Sequence, residues 1–308
     1  MRVLLTGAGG QLGQEVVRNK PPRGYPLYAL SREALDITDR DAVNRVLTDT
    51  GAELVINAAA YTAVDHAEND RANAQLCNCL GAENLARGCG DRGIPMLQIS
   101  TDFVFDGHQS GPWVEADPVA PLSVYGLTKA DGEARVRDTL SQHLILRVSW
   151  LFSAHGHNFV KTILRLAQAR KTLRIVDDQS GCPTWAGHVA AVIWSLTRRL
   201  AKGGEQIPWG TYHYCDSPST TWHGLAAEII GMARERTSLA APELVAIGTK
   251  DYPTSAPRPA NSVLSCDLIR RRFGIKQQSW HQGLARTLDA LLSLDTDNGC
   301  DAEEAVRL

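Results

Sequence analysis

No stretch of this 308-residue chain stays apolar for the roughly 20 residues that a membrane-crossing helix needs. Neither sign of charge dominates. Thirty-two Lys and Arg against 34 Asp and Glu leave a formal net charge of −2, which argues against bulk attraction to nucleic acid or to a membrane surface. A paired cysteine framework is missing too. The seven cysteines, Cys77, Cys79, Cys89, Cys182, Cys215, Cys266 and Cys300, are scattered and odd in number, as expected of reduced cytosolic thiols. Cys77-Asn78-Cys79 falls in a helical pattern, where residues two apart face different ways, and no third ligand is evident, so no metal site is expected there. There is no internal repeat and no low-complexity block. The opening run Met1-Arg2-Val3-Leu4-Leu5-Thr6 reads as a strand entering a turn and not as a signal peptide.

The hydrophobic content of 44% and charged content of 21% fit a globular protein of one large or two ordinary domains. Short apolar runs alternate with helical patterns through the first half. Strands are expected at 2–6, 27–30, 53–58, 95–100 and 143–149, and helices at 11–19, 39–49, 69–92 and 123–140. That alternation predicts an α/β fold, a doubly wound Rossmann-like parallel sheet. After Trp150 the pattern loosens. Helices are expected at 158–170, 187–201, 221–234 and 280–292, with strand-like pieces at 173–176, 211–215 and 244–247 and an exposed loop at 201–205. We divide the chain into a dinucleotide-binding domain, 1–150 with returning segments about 173–215, and a smaller interleaved α/β substrate domain, 151–172 and 216–294. Residues 295–308 form an acidic tail expected to be disordered.

Two features carry chemistry. Gly7, Gly10 and Gly13 follow a strand and open a helix, the setting of a dinucleotide fingerprint, although the spacing is GxxGxxG and not GxGxxG. Gly7 is expected to make the tight turn, Gly10 to let backbone approach the pyrophosphate and Gly13 to pack helix on strand. The carboxylate that usually ends the second strand and binds a ribose hydroxyl is absent. The chain reads Leu30-Ser31-Arg32, and a guanidinium there is able to grip a 2′-phosphate, which leans toward NADPH with NADH as the alternative. The bland reading of Arg32 is a solvated surface charge. Asp36 and Ile37 are expected near the adenine, and the small residues of Ala58-Ala59-Ala60-Tyr61-Thr62 leave room for cofactor after the third strand.

The second feature is Tyr125 and Lys129, four apart and so on one helix face. A lysine ammonium beside a phenol lowers its pKa from about 10. With the hydroxyl of Thr101 at the end of the fourth strand, the trio suits carbonyl reduction, the tyrosine protonating the oxygen as hydride arrives at carbon. A further acid is lacking here as well: Phe103 follows Asp102 where a dehydratase would need a second carboxylate, so simple reduction is favoured.

Longer runs support a resemblance. They are Val55-Ile56-Asn57-Ala58-Ala59-Ala60-Tyr61-Thr62-Ala63-Val64-Asp65, Ser100-Thr101-Asp102-Phe103-Val104-Phe105, Pro121-Leu122-Ser123-Val124-Tyr125-Gly126, Leu146-Arg147-Val148-Ser149-Trp150, Asp178-Gln179-Ser180-Gly181-Cys182-Pro183-Thr184 and Arg258-Pro259-Ala260-Asn261-Ser262. Over nearly its whole length the chain resembles the extended short-chain dehydrogenases/reductases, and within them the dTDP-4-dehydrorhamnose reductases. The resemblance implies an enzyme that reduces the 4-keto group of dTDP-4-dehydro-β-L-rhamnose in dTDP-rhamnose biosynthesis, in the cytoplasm, as a homodimer. It implies that Gly10, Gln11 and Leu12 contact the cofactor pyrophosphate, that Ala60, Tyr61 and Thr62 line its path, and that Thr101, Asp102 and Trp150 contact the sugar nucleotide. Arg258 and Asn261 either touch the nucleotide or shape the Pro-rich loop. The family also implies a Mg2+-bridged dimer built from glutamates. Glu15 matches one position, but Gly187-His188 and Asp289 stand where other glutamates are expected, so the ligand set is incomplete and we assign no metal. Competing readings are a reductase or epimerase for another nucleotide sugar, and a non-catalytic regulatory subunit that keeps the cofactor fold.

Overall fold

The computed structural model describes the chain except residues 20, 22, 203–206, 240 and 299–308. Its centre is a six-stranded sheet in the order β10-β5-β4-β3-β1-β2, with every neighbouring pair parallel. The strands are β1 (Val3–Thr6), β2 (Leu27–Leu30), β3 (Leu54–Asn57), β4 (Met96–Thr101), β5 (His143–Val148) and β10 (Gly210–His213). All four residues of β1 and of β3 are buried, as continuous apolar runs between two helical layers require, whereas edge strand β2 buries none completely. The chain leaves β1 toward β2 and returns on its other side as β3. The topological switch, where an open parallel sheet makes a crevice, therefore falls between β1 and β3.

Helices α1 (Gln11–Arg18) and α8 (Ala186–Lys202) cover one face. Helix α2 (Arg40–Thr50), the short α3 (Val64–Ala67) and α4 (Arg71–Gln75), then α5 (Ala82–Gly90) and α6 (Val124–Thr139), account for the other. The long helix expected at 69–92 is interrupted: α4 and α5 are joined by a π-helical turn, Leu76–Gly81. Backbone crowding explains its place. A Cβ on Gly81 would lie 2.6 Å from Ile37 Cγ1, and one on Gly132 of α6 would lie 2.1 Å from the Asn78 carbonyl oxygen, so this wide turn is pressed between two neighbours.

A second cluster holds the smaller unit. Helices α7 (Phe159–Ala169), α9 (Trp222–Arg234) and α11 (Trp280–Asn298) pack with β7 (Thr172–Val176), and β7 pairs in parallel with β12 (Glu243–Ile247). This corrects the expected returning segment. Residues 173–176 ladder with β12 and not with the large sheet, so what returns to the sheet is α8 and β10. Two-residue strands β6 (Leu151–Phe152), β8 (Ser180–Gly181), β9 (Thr184–Trp185) and β11 (Thr220–Thr221) stitch the crossing segments together. Helix α10 (Asp267–Phe273), which the sequence pattern did not suggest, packs Ile269 into the core of the large sheet and ends at Gly274 with φ +70°. The tail is corrected in part, because α11 continues through Asn298; residues 299–308, with Cys300, lie outside the described residues, as do 203–205 of the expected loop. No helix among the described residues is long and apolar enough to cross a membrane.

Candidate active site

The glycine turn lies at the β1/β3 switch. Gly7 has φ +70°, and a Cβ there would stand 2.5 Å from the Ala59 amide nitrogen, so turn and following loop touch through bare backbone. A Cβ on Gly13 would sit 2.2 Å from the Gly7 carbonyl oxygen, which lets α1 lie directly on the turn. Gly10 caps α1 without any side-chain cap, and its own amide bonds the Gly7 carbonyl at 3.0 Å. The first intrahelical bond comes from Gln14, so the amides of Gln11, Leu12 and Gly13 precede the helical ladder and suit a pyrophosphate. Leu12 offers only backbone, since its side chain is buried in the core. The Gln11 side chain is also occupied: its carbonyl oxygen accepts from Asn158 Nδ2 at 2.9 Å and its amide donates to the His157 carbonyl at 3.2 Å.

Ser31 and Arg32 follow β2 beside this turn, with Ser31 Cβ 3.8 Å from where a Cβ on Gly9 would be. Arg32 is exposed, and its charge helps hold the carboxyl of Asp36 below the usual range, behind hydrogen bonds from the Thr38 amide and hydroxyl. Ile37 is corrected. Its side chain is 2% exposed and packed in the core against Gly81, so it can border a ligand only through its backbone. Ala60 is half-buried and Thr62 exposed after β3. Between them the Tyr61 peptide is clamped by Asn78 of the π turn: the Tyr61 amide donates to Asn78 Oδ1 at 2.8 Å, and Asn78 Nδ2 donates to the Tyr61 carbonyl at 3.1 Å. Asn78 Nδ2 also reaches Thr128 Oγ1 of α6 at 3.1 Å. The sequence reading missed Asn78 as a site residue, because a helical register gives it no partner.

Thr101 ends β4 and caps a 3-10 turn, Asp102–Val104. Its hydroxyl donates to Asp102 Oδ1 at 2.9 Å and accepts from the Phe103 amide at 3.2 Å. Tyr125 lies in the first turn of α6, which Ser123 caps by accepting from the Gly126 amide. The helix approaches β4 closely because a Cβ on Gly126 would lie 2.2 Å from the Phe103 carbonyl oxygen. Burial pushes the Tyr125 phenol up to about 12; a hydrogen bond with Thr101 opposes this and the Asp102 charge adds to it. Lys129 is 4% exposed, and burial pushes its ammonium down to about 8, with Cys77 and Glu133 opposing. It donates to the Ile99 carbonyl of β4 at 2.8 Å. The expected depression of the phenol by Lys129 is thus not found: desolvation raises it, and Lys129 is not among the groups acting on Tyr125. Asp102 is 2% exposed and is pushed up to about 7 by burial, against the hydroxyls of Thr101 and Ser262, and its Oδ2 has no hydrogen-bond partner among the described residues.

A cavity of about 840 Å³ adjoins both regions. At one end Phe103 and Ser262 line it, the first edge-on to the Tyr125 ring at 5.6 Å. Near the glycine turn Asn158 lines it. Trp150 lies in its wall and is the one non-glycine residue among the described residues with positive φ, +43°, a conformation that costs about 1–3 kcal/mol. Arg258 also lines the cavity, tied back to Asp65 through a two-pronged ion pair of 2.6 and 2.9 Å. Asn261 is corrected: its amide donates to the carbonyls of Gln109 and Gly111, both at 2.8 Å, and its oxygen accepts from the Val263 amide, so it shapes the loop and is not part of the cavity wall.

Glu15 is buried, with its carboxyl raised by desolvation and His155 Nε2 at 3.6 Å. His188 bonds Asp216 at 2.8 Å and Asp289 pairs with Arg236 at 2.7 Å, so neither joins Glu15 within the chain.

A family-wide sequence profile described as RmlD substrate binding domain matches residues 1–293. A dTDP-4-dehydrorhamnose reductase of Aggregatibacter actinomycetemcomitans is 41% identical over 285 residues, covering 92% of this chain and 97% of that one. Among solved structures, a dTDP-4-dehydrorhamnose reductase of Clostridium acetobutylicum superposes with a TM-score of 0.88 at 33% identity, covering 95% and 100%. One from Bacillus anthracis, in complex with NADP, gives 0.87 at 32% identity, covering 94% and 99%.

Proposed function

The chain belongs to the RmlD substrate binding domain family, and from that premise we propose that it is an NADPH-dependent reductase that converts the 4-keto group of dTDP-4-dehydro-β-L-rhamnose to the alcohol of dTDP-β-L-rhamnose. The observation that carries the reading is the convergence, at the carboxyl ends of the parallel strands, of an uncapped helix N-terminus, Thr101 and Tyr125 side by side, and a cavity large enough for a sugar nucleotide.

The cradle fits a dinucleotide: bare backbone at Gly7 and Gly13 and first-turn amides at 11–13 suit its pyrophosphate, and Ser31 and Arg32 suit a 2′-phosphate. When bound, the reduced nicotinamide supplies the hydride. Tyr125 gives its phenolic proton to the carbonyl oxygen while the carbon receives two electrons with the hydride, and a ketone becomes a secondary alcohol. A phenol pushed up to about 12 is fully protonated at neutral pH, so the acid form needed for reduction is present. The Thr101 hydroxyl beside the phenol favours the phenolate left behind, and Lys129, with a value of about 8, carries most of its positive charge at neutral pH. Trp150, in the cavity wall, contacts the sugar nucleotide, whereas Asp102, expected to do so, is buried behind that wall against Thr101; Asn78 holds the Tyr61 peptide along the cofactor path. The resemblance to a Mg2+-bridged dimer lends no support to a metal here, because His188 and Asp289, which stand where other glutamates are expected, are paired with Asp216 and Arg236 and do not join Glu15 within the chain.

The test is a coupled assay that starts from dTDP-glucose with the preceding dehydratase and epimerase and follows NADPH absorbance. Consumption that depends on all components supports the reading. Consumption with a different nucleotide-4-ketohexose only, or none, rejects it.

A further inference from the structure

Trp150 is held in its left-handed backbone conformation by neighbours, and the largest of these is a second tryptophan. The Trp222 ring lies parallel to Trp150, 3.5 Å between centroids and 5° between planes. Both rings line the cavity. Trp222 opens α9 immediately after its cap Thr221, whose hydroxyl accepts from the Gly224 amide, so the backbone that carries the ring is fixed. The ring is fixed as well. Its Nε1 donates to Gln179 Oε1 at 3.1 Å, and Phe159 abuts it at 4.6 Å. Gln179 is 5% exposed, and its amide nitrogen donates to Thr249 Oγ1 at 3.0 Å, so both ends of the side chain are committed. Against the Trp150 indole only glycine fits at position 181: a Cβ on Gly181 would lie 2.3 Å from the ring.

We propose that Trp222, anchored by Gln179, is the positioning residue that sets Trp150 in the wall of the nucleotide-sugar cavity, and so governs how tightly the sugar nucleotide binds. The inference rests on the proposed substrate reading. Stacked aromatic rings at this distance are mutually attractive, and that attraction offsets part of the backbone strain at Trp150. With Trp222 removed, the Trp150 backbone is free to relax and the indole leaves its place. The interaction acts on binding and not on proton transfer, since neither Trp222 nor Gln179 touches Thr101, Tyr125 or Lys129. It therefore falls on ground state and transition state alike, which raises KM and leaves kcat nearly unchanged.

The experiment uses the full chain. Wild type, Trp222→Leu, Trp222→Phe and Gln179→Leu are compared by titration calorimetry with dTDP-rhamnose, by steady-state kinetics, and by far-ultraviolet circular dichroism, where two stacked indoles give a paired positive and negative exciton band. NADPH binding, followed by its fluorescence, reports on the fold of the other half. We expect Trp222→Leu to lose the exciton band and to weaken dTDP-rhamnose roughly 3- to 10-fold, with KM rising in step. Trp222→Phe, which keeps a ring, should restore much of the affinity, and Gln179→Leu should show a smaller loss. NADPH affinity should not move. If wild type fails to bind dTDP-rhamnose, the substrate reading itself falls. If wild type binds but Trp222→Leu and Gln179→Leu bind as tightly after the band is lost, Trp222 is packing only and the inference is overturned. A fall in kcat with KM unchanged overturns it as well.

Discussion

The two ends of the crevice work by opposite physics. At the β1/β2 end the groups proposed to meet the ligand are backbone amides at an uncapped helix start, beside the exposed Gly9 and Gly10, and an exposed guanidinium, Arg32. At the β4/α6 end Asp102 and Lys129 are buried and Tyr125 half-buried, and loss of water is the main cause that drives a carboxyl up to about 7, a phenol up to about 12 and an ammonium down to about 8. The first end attracts a charged ligand and costs little to build. The second shifts proton affinities by several units because water is excluded, and each shift is a stability penalty for the charged form. The lesson is that binding groups can stand at the surface, whereas proton-handling groups depend on what surrounds them.

Four outcomes sharpen or break this contrast. The largest is expected from Tyr125→Phe, which keeps the ring and its contact with Phe103 but removes the proton. Turnover should fall roughly 10²- to 10⁴-fold with NADPH affinity kept; turnover near wild type would remove Tyr125 from the acid's role. Next is Asp102→Asn. The folded value of the carboxyl lies above its unfolded value, so its contribution is fully present below about pH 4 and is lost as pH rises toward about 7. The neutral amide escapes that loss. Its unfolding free energy should gain on wild type between these limits, by at most about 4 kcal/mol, and the gain should level off above pH 7. A difference that is the same at pH 4 and pH 8 in urea titrations contradicts a carboxyl tuned by burial.

At the open end the effects are smaller. Arg32→Ala should weaken NADPH by about 1–3 kcal/mol and NADH much less, and 0.5 M salt should shrink the difference, since an exposed contact is screened. Equal weakening of both cofactors places Arg32 elsewhere. The smallest effect is expected from EDTA, which should change neither activity nor mass by light scattering. Glu15 alone offers a hard divalent ion one carboxylate where about six oxygens are wanted. Loss and magnesium-dependent recovery of both would show that acids from a second copy complete a site.

The sequence was legible where local rules act alone. Strand β2 lies over the expected 27–30, and the expected ends of most helices fall within two or three residues of α1, α2, α6, α7 and α8, because apolar period, caps and glycine turns are short-range signals. The glycine turn was readable for the same reason. What was not readable involves partners far apart in the chain. The π turn at 76–81 answers to Ile37 and Gly132, so the pattern at 69–92 looked like one ordinary helix. Asn78 became a site residue only when that turn aimed it at Tyr61 and Thr128. Asn261 left the candidate site when Gln109, Gly111 and Val263 took all its hydrogen bonds.

Residue types and spacing by themselves therefore determined the parallel α/β sheet, the glycine turn after β1, and the positions of Thr101 at a strand end and of Tyr125 and Lys129 one turn apart on α6. They could not determine the state of those groups. A four-residue spacing puts Tyr125 and Lys129 on one face, but the sign of each pKa shift depends on how much water the rest of the chain removes, and desolvation reversed the direction expected for the phenol. The Trp150–Trp222 stack is of the same kind: residues 72 positions apart by their numbers meet because α9 begins where β5 ends its run through the sheet. Periodicity and turn chemistry are properties of neighbours in sequence; dielectric environment, strain and ring stacking are properties of neighbours in space, and only the folded chain supplies those.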